Sequence, residues 1–297
     1  GGSMAYDYDI GILGGGSAGL TIAAGAARFG AKTLLIEKEQ RLGGDCLHYG
    51  CVPSKTLIRT ANVYHMIKNS GRFGLPVVSA GSVDFREVSN RIKSVIDIIQ
   101  RHDSPERFCS LGAKVEFGNA EFIDDHSVRL NGKTISSKIW SIATGSSPSI
   151  PRIDGLDKTP FITNRDIFYL DRLPGSMIIL GAGPISTEMS QAFNRLGTKV
   201  TVIQRSEQIL HREDRDMADT LMNILSSEGV LFHLGASVLS VKDLGGSREV
   251  IIKKSDGNEM GLTADTIFVA AGREANLKNL GLEKAGVKSD NRGLILD

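Results

Sequence analysis

Apolar positions along this chain follow two periods. Short runs at Tyr8–Leu13, 32–36, 177–180, Lys199–Ile203, 230–234, 249–253 and 266–271 have the length and the enrichment in Ile, Val and Leu of strands. Residues 114–117, Ser127–Leu130 and 139–143 are further short β-like pieces. Two segments follow the helical period instead. Residues 20–29 are rich in alanine, and Phe85–Gln100 carries Val88, Ile92, Val95, Ile96 and Ile99 on one face. Gly245-Gly246 and Asp256-Gly257 mark turns, while Pro148, Pro151 and Gly155 mark a crossover into a second domain.

One plan occurs twice. A strand runs into Gly14-Gly15-Gly16-Ser17-Ala18-Gly19, a helix follows, and a second strand ends at Glu37. Later a strand runs into Gly181-Ala182-Gly183-Pro184-Ile185-Ser186, a helix runs to Leu196, and a strand reaches Gln204. Glu37 and Gln204 each lie 23 residues past the first glycine of their own turn. A single GxGxxG is weak evidence, but two copies in the same register are strong evidence for two dinucleotide-binding folds. In the first turn Gly14 permits the tight bend, Gly16 lets backbone approach a pyrophosphate, and Gly19 lets helix and strand pack closely. The helix N-terminus then faces the anion, and Glu37 is placed to accept hydrogen bonds from ribose hydroxyls. In the second turn Ser186 holds the third small position, and Gln204-Arg205 stands where an acid is usual.

Composition narrows the alternatives. The chain has 297 residues, enough for about two domains. With 35 Lys+Arg against 34 Asp+Glu, its net charge of +1 gives no field for nucleic acid or an anionic membrane. No apolar run approaches the roughly 20 residues of a membrane span. Gly1-Gly2-Ser3 ahead of Met4 reads as a cloning scar, no signal peptide follows, and the expected location is cytoplasmic.

Three cysteines cannot build a structural disulfide framework. Cys109 is expected as a buried small hydrophobe. Cys46 and Cys51, five apart in Gly43-Gly44-Asp45-Cys46-Leu47-His48-Tyr49-Gly50-Cys51-Val52-Pro53-Ser54-Lys55, can close a small ring at a helix start. The helix N-terminus and Lys55 favour a thiolate there, so the pair is expected to be reactive and reversible. A zinc site would need two more ligands, and no metal is expected. His48 and Tyr49 read as packing or rim residues. The neighbouring triad residue types His102-Asp103-Ser104 cannot form a relay, being consecutive.

The redox segment resembles the "GGTCxxxGCxPSK" signature of class I pyridine nucleotide–disulfide oxidoreductases, a family that includes dihydrolipoamide dehydrogenase, glutathione reductase and mercuric reductase. The likeness runs in order through "GGGSAG", "ATGSSP" at 143–148, "GAGPISTE" at 181–188 and "AAGREANLKNLGLE" at 270–283. The wording around "HDSPERF" and "ILHRED" is most similar to the mercuric-reductase-like branch. The resemblance implies an α/β fold of two Rossmann-like domains with βββα-type three-layer architecture. The expected domains are an FAD-binding domain over 4–150, an NAD(P)-binding domain over 151–271, and a return towards the first over 272–297.

By the same resemblance, FAD contacts Gly14, Gly16, Ser17, Ala18, Gly19, Glu37, Lys38, the loop Gly43, Gly44, Asp45 and Cys46, and Lys55. Backbone near Ala120 and the turn Thr144, Gly145, Ser146 also contact it. The nicotinamide nucleotide contacts Gly181, Gly183, Pro184, Ile185, Glu188, Gln204 and Arg205, with Val238 and Gly272 nearby. Lys55 and Glu188 match the family's ion pair beside flavin and nicotinamide. Cys51 matches the thiolate adjoining the flavin, and Cys46 the interchange thiol that attacks substrate. Electrons then pass from NAD(P)H through the flavin to the Cys46–Cys51 disulfide, and on to a small disulfide, lipoamide or Hg(II).

Departures qualify the match. Asp45 replaces the usual threonine and brings a carboxylate towards the pyrophosphate. Ala275 replaces a usual proline. The chain stops at Asp297 and reads as a truncated form. A second flavin-contacting Gly-Asp segment and a dimerisation domain, with its His–Glu pair and homodimer contacts, are expected in the full-length protein. Because Gln204 is neutral and Arg205 follows it, with His211 and Arg212 further on, NADPH is expected rather than NADH. Two competing functions are a nucleotide-binding redox sensor without turnover and a flavin monooxygenase. The cysteine pair argues against the latter.

Overall fold

The computed structural model of the protein describes residues 5–296. Met4 and Asp297, the outer limits of the expected domains, lie outside the described residues. The chain divides into two compact units. One comprises residues up to Val52, Ser94–Ser147 and the chain from Arg273 onward; the other comprises Pro53–Lys93 and Pro148–Gly272. Residues 53–93 therefore group with the second nucleotide fold, where the expected boundary at 150 had placed them in the first.

In the first unit, strand β1 (Tyr8–Leu13) leads through the glycine turn into helix α1 (Ser17–Arg28), and β2 (Thr33–Glu37) follows. A six-residue helix α2 (Gly44–Tyr49) precedes the long α3 (Cys51–Lys68), and from Pro53 through Lys93 the chain belongs to the second unit. Helix α4 (Phe85–Gln100) has the predicted bounds, and α5 (Pro105–Ser110) follows it. Strands β3 (Ala113–Phe117), β4 (Ala120–Phe122), β5 (Ser127–Leu130) and β6 (Lys133–Ile142) complete a six-stranded sheet of order β3-β2-β1-β6-β5-β4. β6 is twice as long as its apolar signal suggested. Its first half pairs antiparallel with β5 and its second half runs parallel beside β1. The first half reads Lys133-Thr134-Ile135-Ser136, whose polar residues hid it from an apolar-run criterion. One face of the sheet buries Ile12, Leu35 and Ala113 against Leu20, Ala23 and Phe108 of the helices. The other buries Leu13, Leu34, Phe122 and Leu282. Each such large side chain, fully buried, contributes about 1.5–3 kcal/mol. β7 (Ser146–Pro148) pairs with β15 (Arg273–Ala275).

In the second unit, β8 (Ser176–Leu180), α6 (Pro184–Leu196), β9 (Lys199–Ile203), α7 (Arg215–Glu228) and β10 (Leu231–His233) repeat the first plan. With β14 (Thr266–Val269) they form an all-parallel sheet of order β10-β9-β8-β14. β11 (Ser237–Asp243), β12 (Arg248–Lys253) and β13 (Glu259–Ala264) form an antiparallel meander beside it in sequence. A shared core of Ile178, Leu180, Ile203, Val250, Ile252 and Ile267 joins sheet and meander. Helix α7 had no clear sequence signal. Met217 and Ile224 are exposed while Ala218 and Leu225 are buried, so apolar residues on two sides blur its period. Among the described residues, no helix is long and apolar enough to cross a membrane.

Candidate functional site: two glycine turns, a cysteine pair and an ion pair

The first glycine turn is built by contact. Gly14 adopts φ +107°, and a Cβ there would lie 2.2 Å from the Ala143 carbonyl oxygen. A Cβ on Gly19 would lie 1.7 Å from the Gly14 carbonyl, so only glycine closes α1 onto the strand. Gly16 caps α1 without a side-chain bond, and no acid occupies the first helical turn. Ser17 and Ala18 are exposed at that turn. The helix end is thus left positive and accessible, which suits a pyrophosphate. Glu37 is 6% exposed. Its carboxylate accepts from the Gly15 N–H at 2.7 Å and from the Glu39 N–H at 2.8 Å, which fixes it beside the turn. Lys38, next along, is exposed. The Gly118 N–H donates to the Glu37 carbonyl at 2.9 Å, so the chain just before Ala120 is tied to the end of β2. The Ala120 side chain itself is buried in the core.

The cysteine segment packs onto this turn. Gly43 (φ +114°) and Gly44 (φ +61°) are both left-handed, and a Cβ on Gly44 would lie 2.6 Å from Gly16 Cα. The backbone of α2 therefore rests on the dinucleotide turn. Cys46 lies inside α2, while Cys51 is the first residue of α3, so the pair straddles a helix break at Gly50 rather than opening one helix. The two side chains hydrogen-bond to each other across that break. Burial, a hydrogen bond with Cys51, and the nearby Cys51 and Asp45 charges push the Cys46 thiol up to about 11. His48 turns to the Leu42 carbonyl at 2.9 Å, a packing role as expected.

Cys109 departs from expectation. It is exposed, because Phe108 takes the buried position on the one-and-a-half-turn α5. Ser104 caps that helix by accepting from the Arg107 N–H at 3.3 Å, so the His102-Asp103-Ser104 run serves structure.

Two residues given no role in the sequence reading hold the Thr144–Ser147 turn. Asn276 Nδ2 donates to the Thr144 carbonyl at 3.0 Å, and its N–H donates to the Gly145 carbonyl at 2.9 Å. Arg273 donates to the Ser146 hydroxyl and carbonyl and to Asp45. Both belong to the "GREAN" stretch, and that match was the available signal. Asp45 thus faces a guanidinium, which neutralises the carboxylate that the sequence had set against a pyrophosphate.

The second turn solves the same packing problem differently. Gly181 has φ +101°, and a Cβ there would lie 2.4 Å from the Ala270 carbonyl oxygen. Ser186 is fully buried, and its hydroxyl donates to the Gly181 carbonyl at 2.5 Å. The serine bridges where Gly19 makes direct contact. Gly183 caps α6, Pro184 takes its first position, and Ile185 is partly exposed.

At the end of β9, the Ser206 hydroxyl donates its one proton to the Gln208 carbonyl at 2.9 Å. It must therefore accept from Gln204 Nε2, at 2.7 Å, which leaves the Gln204 amide oxygen as an acceptor. Arg205, His211 and Arg212 are exposed, and the Glu207 carboxylate lies against Gly235. Val238 sits in the meander at a β-bulge, packed against the core. Gly272 (φ +135°) accepts from the Ser149 N–H at 3.0 Å.

Lys55 and Glu188, 133 residues apart, meet within the second unit. Lys55 Nζ lies 2.6 and 2.7 Å from the two Glu188 carboxylate oxygens. A cavity of about 480 Å³ adjoins them, lined also by Arg59, Asn62, Gln191 and Arg195.

The mercuric reductase of Staphylococcus aureus is 33% identical over 98% of this chain and 52% of its own length. The dihydrolipoyl dehydrogenase of Bacillus subtilis is 33% identical over 97% of this chain and 63% of its own. The solved structure of the HOCl-induced flavoprotein disulfide reductase RclA from Escherichia coli superposes with a TM-score of 0.84, at 30% identity, covering 98% of this chain and 62% of that one. The chain spans about half the length of the mercuric reductases it matches. The family described as pyridine nucleotide-disulphide oxidoreductase matches residues 8–297, and the chain belongs to that family.

Proposed function

We propose that this chain binds FAD at the first glycine turn and a pyridine nucleotide at the second, and relays electrons to Cys46 and Cys51. The observation that carries the reading is the seating of α2 on Gly16, which ties the cysteine pair to the first dinucleotide turn. The residues fit the cofactor: an uncapped helix end for its pyrophosphate, the fixed Glu37 carboxylate for a ribose, and the braced Thr144–Ser147 turn. A bound flavin supplies two-electron exchange between a nicotinamide and a dithiol.

The chain's own groups do the rest. Two electrons and two protons convert the Cys46–Cys51 disulfide to two thiols. Cys46, the interchange thiol, then attacks a substrate disulfide. A bond forms between its sulfur and one substrate sulfur, and the other substrate sulfur leaves as a thiolate. Cys51 attacks the Cys46 sulfur next, restoring the disulfide and releasing the second substrate thiol. Burial and the neighbouring Cys51 push the Cys46 thiol up, so that attack calls for a base to accept its proton. Lys55 and Glu188 hold each other in place, and the pair would stand beside a nicotinamide carried by the second turn. A small disulfide, lipoamide or Hg(II) meets the same two sulfurs, and the mercuric reductases and dihydrolipoyl dehydrogenases among the relatives support this class.

At the second turn, Gln204 carries no charge to repel a 2′-phosphate and Arg205 is exposed beside it, which supports NADPH over NADH. The test is anaerobic reduction of FAD-loaded protein by NADPH. Bleaching of the flavin, followed by reduction of the Cys46–Cys51 disulfide and a thiol–disulfide exchange that Cys46→Ser abolishes, supports the function. Bleaching without any thiol involvement contradicts it.

A further inference from the structure

The Asp45 carboxylate, directly before Cys46, accepts from Arg273 Nη2 at 3.0 Å. The same guanidinium donates to the Ser146 carbonyl at 2.7 Å and, through Nε, to the Ser146 hydroxyl at 2.9 Å. The pair is partly shielded, with side chains 29% and 34% exposed. One cation therefore joins α2, the Thr144–Ser147 turn and β15, three segments far apart in sequence. We propose that Asp45 and Arg273 form a positioning pair that fixes α2 on this turn and, by the balance of its two charges, sets the reactivity of the Cys46 thiol. Charge-assisted bonds of this kind are short, directional and roughly twice as strong as neutral ones.

Two charged groups act on Cys46 directly, and two more stand beside them. Cys51 faces it from α3 and Asp45 from its own helix, and both charges oppose a thiolate. Arg273 reaches Asp45 from β15 and offsets it. His48, on the same helix, is engaged with the Leu42 carbonyl. Removing the acid should therefore make Cys46 more reactive, whereas removing the arginine leaves the acid uncompensated and makes it less reactive. A merely structural contact would send both variants the same way.

The inference rests on Cys46 being the interchange thiol, but its test needs neither cofactor nor turnover. Reduced protein is alkylated with iodoacetamide from neutral to alkaline pH, and Cys46 is followed by peptide mass spectrometry. Exposed Cys109 serves as the internal reference. Half a pKa unit changes the thiolate fraction roughly threefold. Asp45→Asn and Asp45→Thr should raise Cys46 alkylation below its midpoint by about that factor, and Arg273→Gln should lower it. Asp45→Glu, which keeps the charge, should stay near the native profile. The double variant should follow Asp45→Asn. If Arg273→Gln does not fold, shown by loss of a cooperative melt, the contrast between Asp45→Asn and Asp45→Glu decides. Shifts in the same direction for Asp45→Asn and Arg273→Gln, or identical profiles for Asp45→Asn and Asp45→Glu, overturn the proposal.

Discussion

Gly50 and Cys46 touch across the break between α2 and α3: a Cβ at position 50 would lie 3.2 Å from Cys46 Cα and 2.9 Å from the Asp45 carbonyl oxygen. The absent side chain is what lets Cys51 start a new helix within bonding range of Cys46. Gly50→Ala must push the helices apart, a strain of about 1–3 kcal/mol by analogy with overpacked cores. The expected result is a lower melting temperature together with slower Cys46–Cys51 disulfide formation under a mild oxidant. An unchanged rate of ring closure would count against the contact.

The two cysteines should not be interchangeable. In flavin-loaded protein, Cys46→Ser leaves the Cys51 thiolate and is expected to show a long-wavelength charge-transfer absorbance. Cys51→Ser leaves Cys46, where burial and the Asp45 charge still oppose a thiolate, and should show none at neutral pH. The visible spectra of the two variants check this, and the reverse pattern would exchange their roles.

Acid should weaken the second unit through Glu228. Arg195 donates to both of its carboxylate oxygens, at 2.6 and 2.7 Å, from a mostly buried position. The bond from Arg195 holds the Glu228 carboxyl below its ordinary value against the opposing effect of burial. A carboxyl lowered in the folded state adds stability above its unfolded value, and that stability is lost as pH falls through the folded value. Glu228→Gln should therefore cost about 1.5–3 kcal/mol near neutrality and flatten the acid limb of stability against pH. Urea melts across that range test it. A variant that keeps the native acid dependence would place the titration elsewhere.

Nucleotide choice should follow Arg205. One charge-assisted bond to a 2′-phosphate is worth about 1.5–3 kcal/mol, or roughly tenfold or more in affinity. Binding titrations should show NADPH ahead of NADH, with Arg205→Ala removing most of the difference. Equal affinities in the native protein, or a ratio untouched by Arg205→Ala, would shift the choice to the Gln204 amide oxygen, which can accept from a 2′-hydroxyl.

Much of this was legible in the residues. Both glycine turns, the acid at the end of β2, the cysteine spacing and the full length of α4 stand in the sequence as local patterns. Contacts that depend on distant segments were not legible. Lys55 and Glu188 carry no sign in themselves of meeting across 133 residues, and only the family resemblance suggested it. Arg273 lies 228 residues from Asp45, so the carboxylate looked like an intruder until its partner was placed. Cys109 was misplaced for a local reason. On a helix as short as α5 one residue of phase separates the core from solvent, and the larger Phe108 took the inner position. Helix α7 was missed because its apolar residues lie on two sides, and the first half of β6 because Ile135 is its one apolar residue.

The central claim is that Cys46 and Cys51 are one redox couple fed by a reduced nicotinamide. Differential alkylation measures this directly: FAD-loaded protein is labelled before and after anaerobic addition of NADPH, and each cysteine is followed by mass spectrometry. The account predicts that Cys46 and Cys51 are protected together in the isolated oxidised protein and become reactive together after NADPH, while exposed Cys109 is labelled throughout. If Cys46 and Cys51 are labelled equally with and without NADPH, or if only one of them responds, the account is contradicted.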